Sequence, residues 1–280
     1  MSFAKRLDDV TAERGRFCVG IDPHPQLLAA WGLADDADGL ARFAGTVVDA
    51  LAGRVAVLKP QSAFFERHGS RGIAVLERTI AQARSAGALV LLDVKRGDIG
   101  STMQAYADAY ANPASPLFAD AVTATPYLGF ESLRPLLDTA YDHGAGVFVV
   151  TLTSNPEGAE VQRARPPGEA AEGERSTVAA AMLARIRTEN DATGHGSVGA
   201  VIGATVGAVA GDLDIGGPIL VPGMGAQGGV PSDLRRIFGA ELPRILPSSS
   251  REILAAGPDK TRLWDAAAAA ISAFQTIVSN

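Results

Sequence analysis

Asp93-Val94-Lys95-Arg96-Gly97-Asp98 sets one ammonium between two carboxylates in a short stretch of chain. On an extended strand alternate side chains share a face, so Asp93 and Lys95 point together and Val94 points away. Gly97 lets the chain turn, Asp98 falls where the next helix is expected to begin, and helical spacing carries that face on to Thr102. A lysine between two carboxylates stays charged and becomes a localised proton donor in a partly desolvated pocket. The same spacing suits an ion-pair network that only locks a strand end, so the motif alone leaves both readings open.

A second cluster, Val221-Pro222-Gly223-Met224-Gly225-Ala226-Gln227-Gly228-Gly229, contains a Gly-x-Gly-x-x-Gly match. A dinucleotide loop would follow a first strand and carry an acidic residue placed for a ribose. This one comes late in the chain, and the next acidic residue beyond its short helix, Glu241, is poorly placed for that contact. Backbone N–H groups of such a loop suit a phosphate instead, with Ser248-Ser249-Ser250-Arg251 supplying hydroxyls and a charge-assisted partner.

These residues need strands to hold them. Apolar runs recur at Phe17–Asp22, Val55–Pro60, Leu89–Lys95, Ala121–Thr125, Val147–Thr153, Val198–Gly203, Ile219–Pro222 and Arg244–Pro247. They are continuously apolar rather than alternating, as strands buried on both faces must be. Amphipathic segments at Leu40–Leu51, Ile73–Ala86, Thr177–Asn190 and Leu263–Val278 lie between or after them. Eight runs in 280 residues leave about 35 residues per unit, the size of a βα repeat. The expected fold is α/β, a single (β/α)8 TIM barrel over residues 1–280, with a doubly wound open sheet as the alternative. Pro156–Arg175, rich in Glu, Arg, Pro and Gly, reads as a polar insertion after strand five, either a solvated surface loop or a lid.

In such a barrel chemistry sits at the C-terminal ends of the strands. Those ends carry Asp22, Lys59, Asp93 with Lys95, Pro126, Ser154, Thr205, Gln227 and Arg251. Any one of these groups suits a strand-end cap, but a barrel without a site has little reason to repeat them. The four histidines, His24, His68, His143 and His195, form no pair at metal-ligand spacing, and only His24, beside Asp22, is placed to reach the site. Cys18, inside the first run, reads as a small core residue, and Asp265–Ile271 as a stretch of high helix propensity. There is no Gly-x-Ser-x-Gly elbow and no Walker loop.

Composition narrows the function classes. Hydrophobic residues make up 47% and charged residues 20%, which excludes a disordered chain. The net charge of -6 and pI near 5.3 argue against a nucleic-acid partner. A single cysteine excludes a disulfide framework and a thiolate metal cluster. No signal-peptide pattern opens the sequence, and the glycine-rich stretch Val198–Ala210 is too short for a membrane span, so a cytoplasmic protein is expected.

Asp93 to Thr102 closely resembles the signature of the orotidine 5′-phosphate decarboxylase family, and Gly20 to Pro25 the Gly-Ile-Asp-Pro-His-Pro motif of its longer bacterial, type 2 branch. Lys59 to Glu66, Leu152 to Pro156 and Pro222 to Gly229 match in the same order, so the resemblance runs from about Phe17 to Arg251. It implies decarboxylation of orotidine 5′-phosphate to UMP with no cofactor and no metal. Lys95 would protonate carbon 6, Asp93 would lie against the substrate carboxylate, and Lys59 would complete the charged array and reach a ribose hydroxyl. Asp98 and Thr102 would cross a homodimer interface into the neighbouring site. Asp22 would hold the ribose, Ser154 the pyrimidine, and Arg251 the phosphate. Gln227 would lie between base and phosphate, with Pro222, Gly228 and Ser250 lining the same ligand.

The nearest rival is a magnesium-dependent decarboxylase or aldolase acting on a sugar phosphate. Related barrels of that kind share Asp-x-Lys-x-x-Asp but need an acidic metal ligand at the end of strand two, where this chain has Lys59. A Schiff-base aldolase using Lys95 is disfavoured because an ion-paired lysine is a poor amine nucleophile. A non-catalytic phosphate-binding barrel would keep Gln227 and Arg251 without needing Asp93, Lys95 and Asp98.

Overall fold

The computed structural model describes residues 1–166, 177–224 and 231–279. Eight parallel strands close into a barrel in chain order: β1 (Cys18–Ile21), β2 (Val57–Pro60), β3 (Leu89–Arg96), β4 (Ala121–Ala124), β5 (Gly146–Leu152), β6 (Val198–Ile202), β7 (Ile219–Pro222) and β8 (Ile245–Ser249). Closure is explicit: β1 pairs with β8 through Cys18 and Val19 against Ser248 and Ser249. This removes the open-sheet alternative. β8 also runs on into the serines that the sequence reading placed after it.

Strand parity sorts the apolar side chains into two cores. Cys18, Val57, Leu89, Leu91, Phe148, Val201, Leu220 and Leu246 pack together inside the barrel. Their neighbours Val19, Leu58, Val90, Leu92, Val147, Ala200, Ile219 and Ile245 face the surrounding helices. A strand buried on both faces needs apolar residues at every position, which is why these runs do not alternate.

The expected amphipathic segments are helices Ala37–Leu51, Gly69–Ser85, Val178–Thr193 and Lys260–Ser279. Three begin at side-chain caps: Asp36 accepts from the Gly39 N–H, Thr177 from the Ala180 N–H, and Asp259 from the Arg262 N–H. A helix not anticipated from the sequence, Phe3–Arg14, closes the N-terminal mouth of the barrel. Phe3 and Leu7, one turn apart, join the interior core, and the Phe3 ring meets Phe148 edge-on at 5.9 Å. Gly146 makes this possible, because a Cβ there would lie 2.4 Å from the Phe3 ring. Buried Asp120 locks the same end, pairing with Arg6 at 2.5 Å and Arg84 at 3.3 Å while accepting the Val90 N–H.

The polar segment after β5 is more ordered at its start than its composition suggests. Residues Pro156–Gly158 and Ala159–Gln162 form short helical turns. The Gln162 amide reaches back, accepting from the Thr153 N–H and donating to the Thr153 hydroxyl, both at 2.8 Å. Residues 167–175 of that segment lie outside the described residues.

Candidate active site

On β2, β3 and β8 the inward parity continues past the apolar core into polar residues. On β3, Leu89 and Leu91 are followed by Asp93 and Lys95; on β2, Val57 is followed by Lys59; on β8, Leu246 is followed by Ser248. These groups converge on a cavity of about 400 Å³ at the C-terminal mouth, which Asp22, Lys59, Asp93, Lys95, Pro222, Ser250 and Arg251 all line. His24, Gln61, Phe64, Met224, Ser248 and Ser249 complete most of the wall. At the opposite end a smaller cleft of about 210 Å³ holds Arg16 and Arg244. Those guanidiniums are already paired, Arg16 with Asp8 and Arg244 with Asp214, so that cleft presents no free charge of theirs to a ligand.

A row of alternating charge forms the floor of the C-terminal cavity. Asp93 accepts from Lys95 Nζ at 2.6 Å and from the Thr123 hydroxyl at 2.8 Å through Oδ1, and from Lys59 Nζ at 3.2 Å through Oδ2. Burial opposes ionisation of Asp93, but the two ammoniums and the hydrogen bonds outweigh it and hold the carboxyl at about 2. Burial likewise disfavours the charged form of Lys59, and the Asp93 and Asp22 carboxylates outweigh it and raise its pKa. Cys18 sits deeper in the barrel, where burial pushes its thiol up to about 12 and keeps it protonated.

Above this floor several polar atoms await partners. Asp22 Oδ1, Ser249 Oγ and Ser250 Oγ are buried without a hydrogen bond. A buried polar atom left unpaired is costly, so a group of this kind facing a cavity suits a hydroxyl-bearing or anionic ligand. Gly20 keeps this corner open: a Cβ there would lie 2.7 Å from the Ser250 Cβ and 3.2 Å from Asp22 Oδ1. The His24 ring packs against Phe64 at 4.3 Å. Burial, helped by the Arg251 charge, lowers the His24 pKa, so its imidazole is neutral at pH 7.

A cavity at the C-terminal mouth with a Lys–Asp–Lys floor and unpaired hydroxyls narrows the family to be expected. Residues 15–265 match the family model described as "Orotidine 5'-phosphate decarboxylase / HUMPS family". The chain belongs to this family. It is 60% identical over 268 residues to orotidine 5′-phosphate decarboxylase of Salinispora arenicola, covering 95% of this chain and 94% of the relative. The corresponding protein of Nocardioides sp. is 61% identical over 253 residues, 90% of this chain and 91% of the relative. A crystal structure of a candidate orotidine 5′-phosphate decarboxylase from Streptomyces avermitilis superposes with a TM-score of 0.95 at 54% identity, covering all (100%) of this chain and 96% of that one. OMP decarboxylase of Leishmania donovani gives 0.75 at 29% identity, over 99% of this chain and 100% of that one.

Not every residue expected from the orotidine 5′-phosphate decarboxylase motifs reaches the cavity. Lys95 is not flanked by two carboxylates of its own chain. Lys95 itself takes a left-handed φ of 46°, which interrupts the strand parity, and Asp98 turns to accept its neighbour Ile99's N–H at 2.8 Å. Helix Gly100–Tyr110 starts beyond Asp98, so helical spacing does not carry one face from Asp98 to Thr102. Thr102, Ser154 and Thr205 are exposed and Pro126 is half-buried, and none of the four lines the cavity. Gln227 and Gly228 lie outside the described residues. Sequence reasoning missed Thr123, a threonine inside an apolar run. The one available signal was its parity, two residues beyond inward-facing Ala121.

Proposed function

We propose that this chain decarboxylates orotidine 5′-phosphate to UMP and carbon dioxide, as a step in pyrimidine biosynthesis, without a metal or organic cofactor. The observation that carries the reading is the Lys59–Asp93–Lys95 row on the cavity floor, with Asp93 ionised between two ammoniums. The substrate carboxylate sits against Asp93. Two like charges about 4 Å apart repel by roughly 4 kcal/mol at an effective dielectric near 20, and loss of carbon dioxide relieves that repulsion. The electron pair left on carbon 6 is stabilised by the Lys95 ammonium, which then gives it a proton. Lys59 balances the Asp93 charge and reaches a ribose hydroxyl, as does Asp22 through its unpaired Oδ1. Ser250 and Arg251, at the end of β8, take the phosphate, with Pro222 beside the base. The family motifs assign Gln227 and Gly228 to that end of the ligand, and Ser154, exposed on the loop after β5, to the pyrimidine.

Lysine chemistry also argues against the magnesium-dependent sugar-phosphate reading. A divalent cation would need Asp93, yet both oxygens of that carboxylate already hold ammoniums. Residues 1–280 act as one catalytic domain, in the cytoplasm. Among the described residues no helix is long and apolar enough to cross a membrane.

The working unit is a homodimer with shared sites. Asp98 and Thr102 do not line their own cavity and lie near exposed Ile99, Tyr127 and Leu128, with relative exposures of 62%, 76% and 54%. The loops after β3 and β4 that carry them are joined by the Thr125 N–H to Arg96 carbonyl bond at 2.8 Å. Apolar residues on a rim beside two polar groups suit a second copy that brings Asp98 and Thr102 to its neighbour. Turnover decides the reaction: with excess chelator present, purified protein should consume orotidine 5′-phosphate and yield UMP and carbon dioxide in equal amounts. Turnover that appears only with added magnesium, or none at all, overturns the reading.

A further inference from the structure

The ladder between β3 and β4 is irregular directly under the reacting pair. Leu92 pairs with Val122 and Arg96 with Ala124, so Asp93, Val94 and Lys95 together face the single residue Thr123. A bulge of this kind strips backbone N–H groups of their ladder partners. The Thr123 hydroxyl oxygen accepts two of them, from Val94 at 3.0 Å and Lys95 at 2.9 Å. The hydroxyl's own proton goes to Asp93 Oδ1 at 2.8 Å. Ionised Asp93 can only accept, which fixes the direction of that bond. Thr123 is 1% exposed, so water has no access to replace it. Within the same bulge Lys95 is the one non-glycine residue with positive φ among the described residues, a conformation that persists only where its surroundings impose it.

We infer that Thr123 is the positioning residue of the Asp93–Lys95 pair, its single hydroxyl fixing the carboxylate and the left-handed lysine backbone as one unit. Thr123 does not line the cavity and acts only through those two residues. The inference rests on Lys95 being the acid of the proposed decarboxylation. With the hydroxyl gone, both N–H groups of the bulge lose their acceptor and Asp93 loses its uncharged donor. The Lys95 ammonium then no longer has a fixed approach to carbon 6. Phosphate and ribose contacts come from the ends of β1, β2 and β8, on other elements, and are left in place.

Thr123→Val removes the hydroxyl at nearly constant volume, and Thr123→Ser keeps it. The valine variant should lose kcat by on the order of a hundredfold with KM for orotidine 5′-phosphate little changed, and serine should restore kcat to near wild type. A merely structural threonine would lower the yield of folded enzyme without changing kcat per folded site. Serine, lacking the methyl group, would not repair it. Unchanged kcat in the valine variant, or a serine variant as slow as valine, overturns the inference. If valine does not fold, Thr123→Cys gives the same comparison against serine with a poor hydrogen-bonding group. Lys95→Ala run alongside separates the two levels. An active Lys95→Ala overturns the acid assignment and this role together, whereas an inactive Lys95→Ala beside a fully active Thr123→Val overturns the positioning role alone.

Discussion

Lys95 Nζ lies 2.6 Å from Asp93 Oδ1, two residues back along the same strand, while Lys59 holds the other carboxylate oxygen from β2. One carboxylate therefore serves two ammoniums, and the three groups carry a net positive charge at the floor of an otherwise apolar barrel. Such a floor draws an anion into the cavity and leaves Lys95, the more exposed ammonium, facing it.

Replacing Asp93 with Asn should destabilise the fold strongly. It leaves Lys59, 6% exposed, without its nearest counter-charge, and breaking a buried pair in this way costs about 3–5 kcal/mol. Urea unfolding at pH 7 checks the size. The double variant Asp93→Asn/Lys59→Met, which removes both charges, should recover much of the loss.

The same carboxylate predicts a pH dependence. The Asp93 pKa is lowered from 3.8 to about 2 in the folded protein, so its contribution to stability is complete above about pH 4. It is lost as pH falls from there towards 2, where the folded carboxyl takes up its proton. Urea midpoints measured across that window should drop less steeply for Asp93→Asn than for wild type.

Arg251→Ala should weaken binding of phosphate-bearing ligands while sparing the fold, since Arg251 is exposed at the cavity mouth. Loss of a charge-assisted hydrogen bond costs about 1.5–3 kcal/mol, so KM for orotidine 5′-phosphate should rise roughly ten- to a hundredfold. Calorimetry with UMP and with uridine checks the assignment, because only the phosphorylated ligand should lose affinity.

Phe3→Ala should act on the opposite end of the barrel. Emptying the site of a fully buried ring costs about 3–5 kcal/mol, visible as a lower Tm, with kcat and KM of the folded enzyme unchanged at 25 °C.

Most of the charged floor could be read before folding because it follows strand parity. Lys59 and Asp93 each extend an apolar run by a position of inward parity, and Lys95 joins them from the β3 bulge. Thr123 was hidden for the converse reason. Its role depends on a bulge in β3 that places Thr123 against residues about 30 positions earlier in the chain, and a threonine in a Val/Ala run otherwise signals only β propensity. Asp98 was misjudged by the same irregularity, since a positive φ at Lys95 ends the strand's alternation where periodic reasoning carries it forward. Helix Phe3–Arg14 went unnoticed because Phe3 and Leu7 acquire meaning only from Phe148 and Gly146, far away in sequence.

Lys95→Ala tests the account most directly. Loss of orotidine 5′-phosphate absorbance is followed for wild type and variant in excess chelator, with UMP affinity measured on both. The account predicts rapid turnover by wild type, turnover reduced by many orders of magnitude in the variant, and ligand binding largely retained. A variant that still decarboxylates at a rate near wild type would contradict the assignment of Lys95 as the proton donor.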